Sequence, residues 1–256
     1  MATPYDTVTL GSVDSTQDEA RSRLGARPRP LLVMAARQTQ GRGRSGRQWV
    51  EAPRALAASL AFRPDWPTEK WPRITLVAGL AAVAAVEDVT GVGTALKWPN
   101  DVVDPATGAK LGGILAESSA GVVVTGLGLN IHWPRPSPGI GAILPDDPGP
   151  HLAGDIGVAW TERLLVTLGR DPEAWGAAEY RRRCVTIGEE VSWERGLAHG
   201  SAGGTGSGRA VDVDDEGRLV VETAAGRVWL DAGEVRSVRR ATVIGRDRPG
   251  DGGDEA

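Results

Sequence analysis

Cysteine, histidine and long apolar runs are scarce or absent in this 256-residue sequence, and each scarcity argues against a class of protein. The single cysteine, Cys184, excludes an internal disulfide and is typical of a reducing cytoplasm. The three histidines are scattered without ligand spacing, which argues against a structural zinc site. No apolar run approaches the roughly 20 residues of a membrane helix, and the first residues do not have the pattern of a signal peptide. The sequence therefore predicts a cytoplasmic protein without a membrane partner.

Positive charge is also in deficit. The net charge is −4 and the pI is near 5.5, whereas a general nucleic-acid-binding domain is usually basic. A hydrophobic content of 41% is ordinary for a globular protein, and 256 residues suffice for one large domain and a small one.

The first 184 residues mix helix-like and strand-like segments. A cap at Asp14–Thr16 predicts a short helix that ends near Gly25, and further helices are predicted at 71–89, 155–168 and 172–183. Apolar runs of strand length lie at 31–36, 55–62, 95–98, 111–117 and 121–131. The Pro- and Gly-rich stretch 133–154 is interpreted as a long surface loop. These segments together predict an α+β domain over residues 1–184.

The composition changes near Val185 to short strands separated by turns, which predicts a small β-barrel over residues 185–241. The predicted strands are 190–194, 210–213, 218–222 and 227–230. Residues 200–208 are nearly all Gly and Ser and are expected to form a flexible excursion. Residues 242–256 are polar, charged and Gly-rich, and we predict a disordered tail there.

Lysine and asparagine are rare, with three and two residues respectively, and four of these five lie between residues 97 and 130. Arginine carries nearly all the other positive charge, so a position that keeps lysine favours a compact ammonium over a guanidinium. The alternative is that these few lysines and asparagines are present by chance in an arginine-rich composition, but they cluster beside Gly and Asp. The four residues are Lys97, Asn100, Lys110 and Asn130.

The segment Gly41–Trp49 interleaves three arginines with three glycines and ends in an aromatic residue. Glycines let backbone N–H groups approach an anion, and arginines bind phosphate or carboxylate through two hydrogen bonds. Trp49 is suited either to stacking on a base or to packing in the core. A solvated basic turn and an RNA-binding Arg-Gly segment are the competing interpretations of this loop.

Two further segments carry possible chemistry. Lys97–Asp101 places a cation, a proline, an amide and a carboxylate within five residues; Asp101 could position an amine or bind Mg²⁺. Pro-Asn-Asp is also good turn chemistry by itself. Lys110 is followed by Gly112-Gly113, which would let a substrate approach, although an edge-strand lysine is the simpler interpretation. Together with the Arg/Gly loop, these segments favour nucleotide or acyl-phosphate chemistry, in which positioning and charge neutralisation dominate.

The order of these motifs resembles that of biotin protein ligases, over residues 10 to 240. The motifs are Asp14-Ser15-Thr16, Gln38-x-x-Gly41-Arg42-Gly43-Arg44-x-Gly46-Arg47-x-Trp49, Lys97-Trp98-Pro99-Asn100-Asp101, Lys110-Leu111-Gly112-Gly113-Ile114-Leu115-x-Glu117 and Gly126-x-Gly-x-Asn130. Gly126-x-Gly-x-Asn130 is weak alone, but several motifs in one order make the resemblance specific.

The resemblance implies a fold and a reaction. The fold is α+β, with a class II synthetase-like catalytic domain of mixed sheet and flanking helices and a small C-terminal SH3-like β-barrel. The biotin carboxylate attacks the ATP α-phosphate and forms biotinyl-5′-AMP. A lysine of a biotin carboxyl carrier domain, part of an acetyl-CoA or acyl-CoA carboxylase, then attacks the mixed anhydride. Biotin, ATP and Mg²⁺ are implied as substrates or activator, with no tightly bound cofactor and no assigned metal ligands.

The resemblance also implies roles for single residues by matching position. Lys110, Arg44 and Asp101 would be catalytic: Lys110 would neutralise charge during adenylation, Arg44 would hold carboxylate and phosphates, and Asp101 would orient or deprotonate the incoming lysine. The residues implied for biotin are Ser15, Thr16, Gln38, Gly41, Arg42, Arg44, Lys110, Gly112 and Gly113. Those implied for the nucleotide are Arg44, Arg47, Trp49, Lys97, Asn100 and Asn130. The loop Gly41–Trp49 would be mobile when empty and close over the adenylate.

The sequence departs from the family in two places. Gln17 stands where the family often has Asn, which puts a ligand contact there in doubt. Some members carry an N-terminal helix-turn-helix domain that represses biotin genes, but the substrate motif here begins near residue 14. The sequence therefore predicts an enzyme without DNA binding.

Three other functions compete with this interpretation. A lipoate or octanoate ligase of related fold usually has a different Arg/Gly pattern and lacks the Lys-Trp-Pro-Asn-Asp segment. A nucleic-acid-binding module using the Arg/Gly loop and barrel conflicts with the net negative charge. An inactive biotin sensor would lack some of the polar residues, whereas all of those expected are present.

Overall fold

The computed structural model describes residues 3–195, 204–232 and 235–240, which contain two sheets. The larger sheet has seven strands in the order β1-β2-β3-β7-β6-β5-β4. Its strands are β1 Asp6–Val13, β2 Leu31–Gln38, β3 Arg54–Phe62, β4 Ala95–Lys97, β5 Asp101–Val103, β6 Lys110–Ser119 and β7 Val122–His132. Strands β1 and β2 are parallel and the other neighbours are antiparallel, so the sheet is mixed.

Helices cover both faces of this sheet. They are α1 Thr16–Leu24, α2 Ile74–Thr90, α3 Leu152–Leu168 and α4 Ala177–Arg183, with 3-10 turns at Arg44–Gly46, Thr68–Arg73 and Pro172–Ala174. Successive strand residues point to opposite faces. In β2, Leu31 and Val33 pack with α1, whereas Leu32 belongs to the core that contains α2 and α3. Helix α1 therefore lies on one face of the sheet, and α2 and α3 lie on the other.

The second sheet is antiparallel and five-stranded, in the order β11-β10-β9-β8-β12. Its strands are β8 Glu190–Arg195, β9 Thr205–Val213, β10 Leu219–Thr223, β11 Gly226–Leu230 and β12 Val235–Arg240. The expected mixed sheet with flanking helices and a separate C-terminal antiparallel sheet are both confirmed. The exact boundaries of the domains stay a prediction.

The turn between β9 and β10, residues 214–217, inserts into the larger domain. The indole nitrogens of Trp98 and Trp175 donate to Gly217 O at 3.1 Å and to Asp215 O at 2.8 Å. Arg73, with only 1% of its side chain exposed, donates to Glu216 Oε2 at 2.5 Å. These bonds fix the second sheet against the part of the larger domain that contains Trp98.

Several sequence-based expectations were incomplete or wrong. Strands β1, β5 and β12 were not predicted, and α2 begins only at Ile74, after a 3-10 turn. The predicted helix 172–183 is broken at Gly176, whose φ of +105° is left-handed. Residues 205–208 form part of β9 because they pair with β8, so the predicted excursion is wrong there. Residues 200–203 of that excursion and the predicted tail 242–256 lie outside the described residues.

Within the described ranges, no helix is both long enough and apolar enough to cross a membrane.

Gly112 of β6 lies directly opposite Leu129 of β7. A methyl group added at Gly112 would lie 2.5 Å from Gly128 O and would collide with the side chain of Leu129. We predict that Gly112→Ala lowers the free energy of unfolding by about 1–3 kcal/mol, because backbone and core must shift. Denaturant unfolding measures this change.

Gly11→Ala is the matched control, because Gly11 is also a strand glycine and nothing lies within 4 Å of its added methyl group. Equal losses of stability in the two variants would contradict the proposed crowding at Gly112.

Candidate functional site

A cavity of about 320 Å³ lies against the central strands β3, β7 and β6 of the larger sheet. Its wall combines α1, the 41–49 loop, the β4–β5 connection, strands β3, β6 and β7, and Val238 of β12. The predicted site residues that line it are Thr16, Gln38, Arg42, Arg44, Arg47, Trp49, Lys97, Asn100, Asp101, Lys110 and Gly113. The structure therefore brings most of the separate sequence motifs together around one space.

The parallel pairing of β1 and β2 explains why Thr16 and Gln38 meet. Val13 pairs with Gln38, so the chain leaving β1 begins α1 beside the end of β2. The backbone N and Oγ1 of Thr16 donate to Gln38 Oε1 at 2.9 and 3.0 Å. Ser59 Oγ, on β3, donates to Thr16 Oγ1 at 2.8 Å. A buried polar chain thus forms one wall of the cavity.

The Arg/Gly loop is held in a hairpin-like shape by its own backbone. Gly43 N donates to Arg47 O at 2.7 Å, and Trp49 N donates to Gly41 O at 2.8 Å. The ring of Trp49 lies against Gly128 of β7, where an added methyl group would meet it at 2.9 Å. Glycine at position 128 therefore lets the Trp49 ring lie inside the cavity wall.

Two arginines of the loop hold it to different partners. Arg42 makes a two-point ion pair with Asp18 of α1, at 2.7 and 2.8 Å, and a longer contact with Glu117. The hydrogen bond with Asp18 raises the pKa of Arg42. Arg44 is half-buried and donates to Ala232 O, just after β11, at 2.5 Å and to Val235 O, on β12, at 2.6 Å. Burial lowers the pKa of Arg44.

Two of the predicted catalytic residues, Asp101 and Lys110, lie at the starts of the neighbouring strands β5 and β6. Lys97 and Asp101 face each other across the two short strands, and Asn100 Nδ2 donates to Ile114 O at 2.9 Å. Lys110 Nζ donates to Asp101 Oδ1 at 2.5 Å and lies 5.9 Å from the centre of the Trp49 ring. Pro99-Asn100 does form a turn, but that turn is part of the cavity wall.

Four predicted binding residues do not line the cavity: Ser15, Gly41, Gly112 and Asn130. Ser15 and Asn130 are buried, and Asn130 Nδ2 donates to Gly141 O at 3.0 Å. Gly41 packs against Gln38 and Trp49, and Gly112 packs against β7. Their assigned ligand contacts stay predictions.

The sequence interpretation passed over Ser59 and Glu51, included Gly128 in a motif without assigning it a role, and left Gln17 in doubt. Glu51 accepts hydrogen bonds from the backbone of Gln38, and Ser59 and Gln17 line the cavity. Ser59 is the one polar residue in the otherwise apolar run 55–62, and this was the available signal.

The charge on the cavity wall is opposite to that of the chain. Among the described residues, five cationic side chains and the carboxylate of Asp101 line it. The cations are those of Arg42, Arg44, Arg47, Lys97 and Lys110. The described part of the chain has no group of three or more His, Cys, Asp or Glu side chains that could bind a metal ion. The arrangement is suited to binding an anionic ligand with several oxygens.

Comparison with known proteins agrees with this geometry. The model of the Biotin/lipoate A/B protein ligase family matches residues 10–133, and that of the Biotin protein ligase C terminal domain matches residues 186–236. The biotin--[acetyl-CoA-carboxylase] ligase of Mycobacterium tuberculosis is 36% identical over 239 residues, covering 86% of this chain and 84% of the relative. The chain belongs to the biotin protein ligase family.

Other biotin protein ligases are similar over nearly the whole chain. The biotin--[acetyl-CoA-carboxylase] ligase of Paracoccus denitrificans is 31% identical over 248 residues, covering 88% of this chain and 98% of the relative. The structure of the biotin protein ligase from Aquifex aeolicus in complex with biotin and ATP superimposes with a TM-score of 0.73 at 27% identity, covering 92% and 99% of the two chains. The resemblance seen in the sequence is confirmed.

The ion pair between Arg42 and Asp18 should limit opening of the Arg/Gly loop. Because an exposed ion pair contributes up to about 1 kcal/mol, Asp18→Asn should increase loop opening by up to about fivefold. Trypsin cleaves after arginine, so initial cleavage within residues 42–47, followed by mass spectrometry, measures this opening.

Glu19→Gln provides a matched control, since Glu19 pairs with Arg23 on the same helix but does not contact the loop. If both variants are cleaved at the same rate, the pair with Asp18 does not restrain the loop.

Proposed function

We propose that this chain activates biotin with ATP in the cationic cavity and transfers it to a lysine of a biotin carboxyl carrier domain. The observation that supports this most directly is the cluster of five cations around one carboxylate, in a chain whose net charge is −4. The biotin carboxylate and the triphosphate are both anions, and binding them together requires this concentration of positive charge. Membership of the biotin protein ligase family supports the same reaction and does not favour a lipoate or octanoate ligase.

In the first half-reaction, a biotin carboxylate oxygen bonds to the α-phosphorus of ATP while the bond to the β-phosphate oxygen breaks. Biotinyl-5′-AMP forms and pyrophosphate leaves. Negative charge builds on the α-phosphate oxygens, and Lys110 and Arg44 are the cations proposed to neutralise it. ATP enters with Mg²⁺ as part of the nucleotide substrate.

In the second half-reaction, the carrier lysine attacks the acyl carbon, an amide forms, and AMP leaves. Asp101 is proposed to orient that amine or accept its proton. The present 2.5 Å bond to Lys110 occupies Asp101 Oδ1. If Lys110 moves toward the adenylate phosphate, Asp101 is released for the incoming amine, so the two steps share one pair of residues.

We assign the remaining binding roles according to where each residue lies relative to the cavity wall. We assign biotin to Thr16, Gln38, Arg42 and Gly113, and also to Ser15, Gly41 and Gly112, which do not line the cavity. We assign the nucleotide to Arg47, Trp49, Lys97 and Asn100, and also to Asn130, which is buried. The loop would close over the mixed anhydride and protect it from water.

We further propose that residues 1–184 contain the catalytic site. Residues 185–241 would stabilise that site through the two carbonyls that accept hydrogen bonds from Arg44 and through the 214–217 turn. A cytoplasmic location is consistent with the single cysteine. The absence of DNA binding stays a prediction.

Exchange of labelled pyrophosphate into ATP tests the first half-reaction directly. We expect exchange that depends on biotin and does not occur with lipoate or octanoate. Exchange with lipoate alone would move the assignment to the lipoate ligases. No exchange with any of the three acids, in folded protein with Mg²⁺, would refute the proposal.

Replacement of Lys110 tests its role in neutralising charge. Lys110→Met keeps most of the side-chain length beside Trp49 but removes the ammonium. We expect the adenylation rate to fall by about 100-fold or more, with a much smaller change in biotin affinity, because the charge acts mainly in the transition state. Single-turnover formation of biotinyl-5′-AMP and calorimetric binding of biotin separate the two effects, and an unchanged rate would exclude Lys110 from catalysis.

A further inference from the structure

Gln17 occupies a buried position in the wall of the ligand cavity, and only 5% of it is exposed. Its amide nitrogen Nε2 donates to Leu115 O at 3.2 Å, Glu117 Oε2 at 3.3 Å and Val124 O at 3.4 Å. These three atoms are acceptors only. Turning the amide over would place its oxygen against them, so the orientation of the Gln17 side chain is fixed by its surroundings.

The other end of this amide has no such partner. Gln17 Oε1 is buried and accepts no hydrogen bond from any described residue. It lies 3.0 Å from the point that a methyl group on Gly126 would occupy, and Ser59 Oγ lies 3.3 Å from that point. Gly126 and Ser59 also line the cavity. Because Gly126 has no side chain, the acceptor faces space that a ligand can enter.

Gln38, the residue that the family resemblance assigns to the biotin ring, is already occupied. Its Oε1 accepts from both the backbone N and the Oγ1 of Thr16, which uses both lone pairs. Its Nε2 lies 3.4 Å from Glu51 Oε1. Gln38 therefore holds Thr16 in the cavity wall, and its own amide oxygen is not free to accept a hydrogen bond from a ligand.

We propose that Gln17 Oε1 accepts a hydrogen bond from a ureido N–H of biotin, which makes Gln17 a specificity-determining residue. This inference rests on the proposed function. A buried acceptor without a donor is unfavourable, so the cavity favours a ligand that brings a donor to this point. The ureido ring of biotin has two N–H groups, whereas the dithiolane of lipoate and the alkyl chain of octanoate have none.

The test replaces Gln17 by Met, which has similar length and no amide. We expect the Kd for biotin, measured by calorimetry, to rise about 10-fold or more. In pyrophosphate exchange the KM for biotin should rise by a similar factor, while kcat changes less than about twofold. Gln17→Leu is the second variant if the Met variant does not fold, and thermal unfolding establishes folding first.

Thr125→Val is the matched control. Thr125 is fully buried on β7, its Oγ1 also has no partner among the described residues, and it does not line the cavity. Its replacement removes a comparable buried polar group one residue from Gly126. We expect its biotin Kd and KM to equal those of the unchanged protein, and an equal loss in both variants would refute a specific role for Gln17.

Biotin methylated at either ureido nitrogen supplies a readout that a purely structural role would not change. The unchanged protein should discriminate against at least one of the two isomers, and Gln17→Met should reduce that discrimination by about 10-fold. An unchanged discrimination ratio would overturn the proposal while leaving biotin ligation intact.

The two hypotheses fail in different ways. If the unchanged protein binds biotin but shows no exchange, the ligase function is wrong, and the calorimetric comparison still decides the role of Gln17. If the unchanged protein does not bind biotin at all, both are wrong.

Discussion

Mutual repulsion among five cations around one cavity is the constraint on which the rest of this site depends. The fold gives three of them a partner: Arg42 pairs with Asp18 and Glu117, Lys110 with Asp101, and Arg44 with two backbone carbonyls. All three cations are partly exposed to solvent. An anionic ligand can therefore replace their partners at a moderate cost, and the positive charge stays available.

The second sheet supplies the partners of one of these cations. Arg44 donates to Ala232 O and Val235 O, and the 214–217 turn of the same sheet is anchored by Trp98, Trp175 and Arg73. Trp98 lines the cavity on one side and contacts that turn on the other. The small sheet is therefore part of the site, although Val238 is the one residue of its described part that lines the cavity.

Much of this could be predicted from the sequence because local signals were strong. The cap before α1 predicted that helix, and the scarcity of lysine and asparagine drew attention to Lys97, Asn100 and Lys110, which line the cavity. Strand β5 has only three residues, and β1 alternates exposed and half-buried positions next to a distant parallel partner, so neither carries a clear apolar pattern. The role of Gln17 depends on carbonyls about 100 residues away, and no local pattern reports them.

The bonds from Arg44 to Ala232 and Val235 also bear on how the protein can be divided. A fragment ending at residue 184 would keep the other four cations of the cavity. It would lack the two carbonyls, Ala232 O and Val235 O, to which Arg44 Nη2 donates in the intact protein. The guanidinium would have to hydrate or turn inward, and either change would alter the cavity. The C-terminal sheet thus binds the Arg/Gly loop through Arg44. A chimera with another family member should therefore exchange the loop and the C-terminal sheet together.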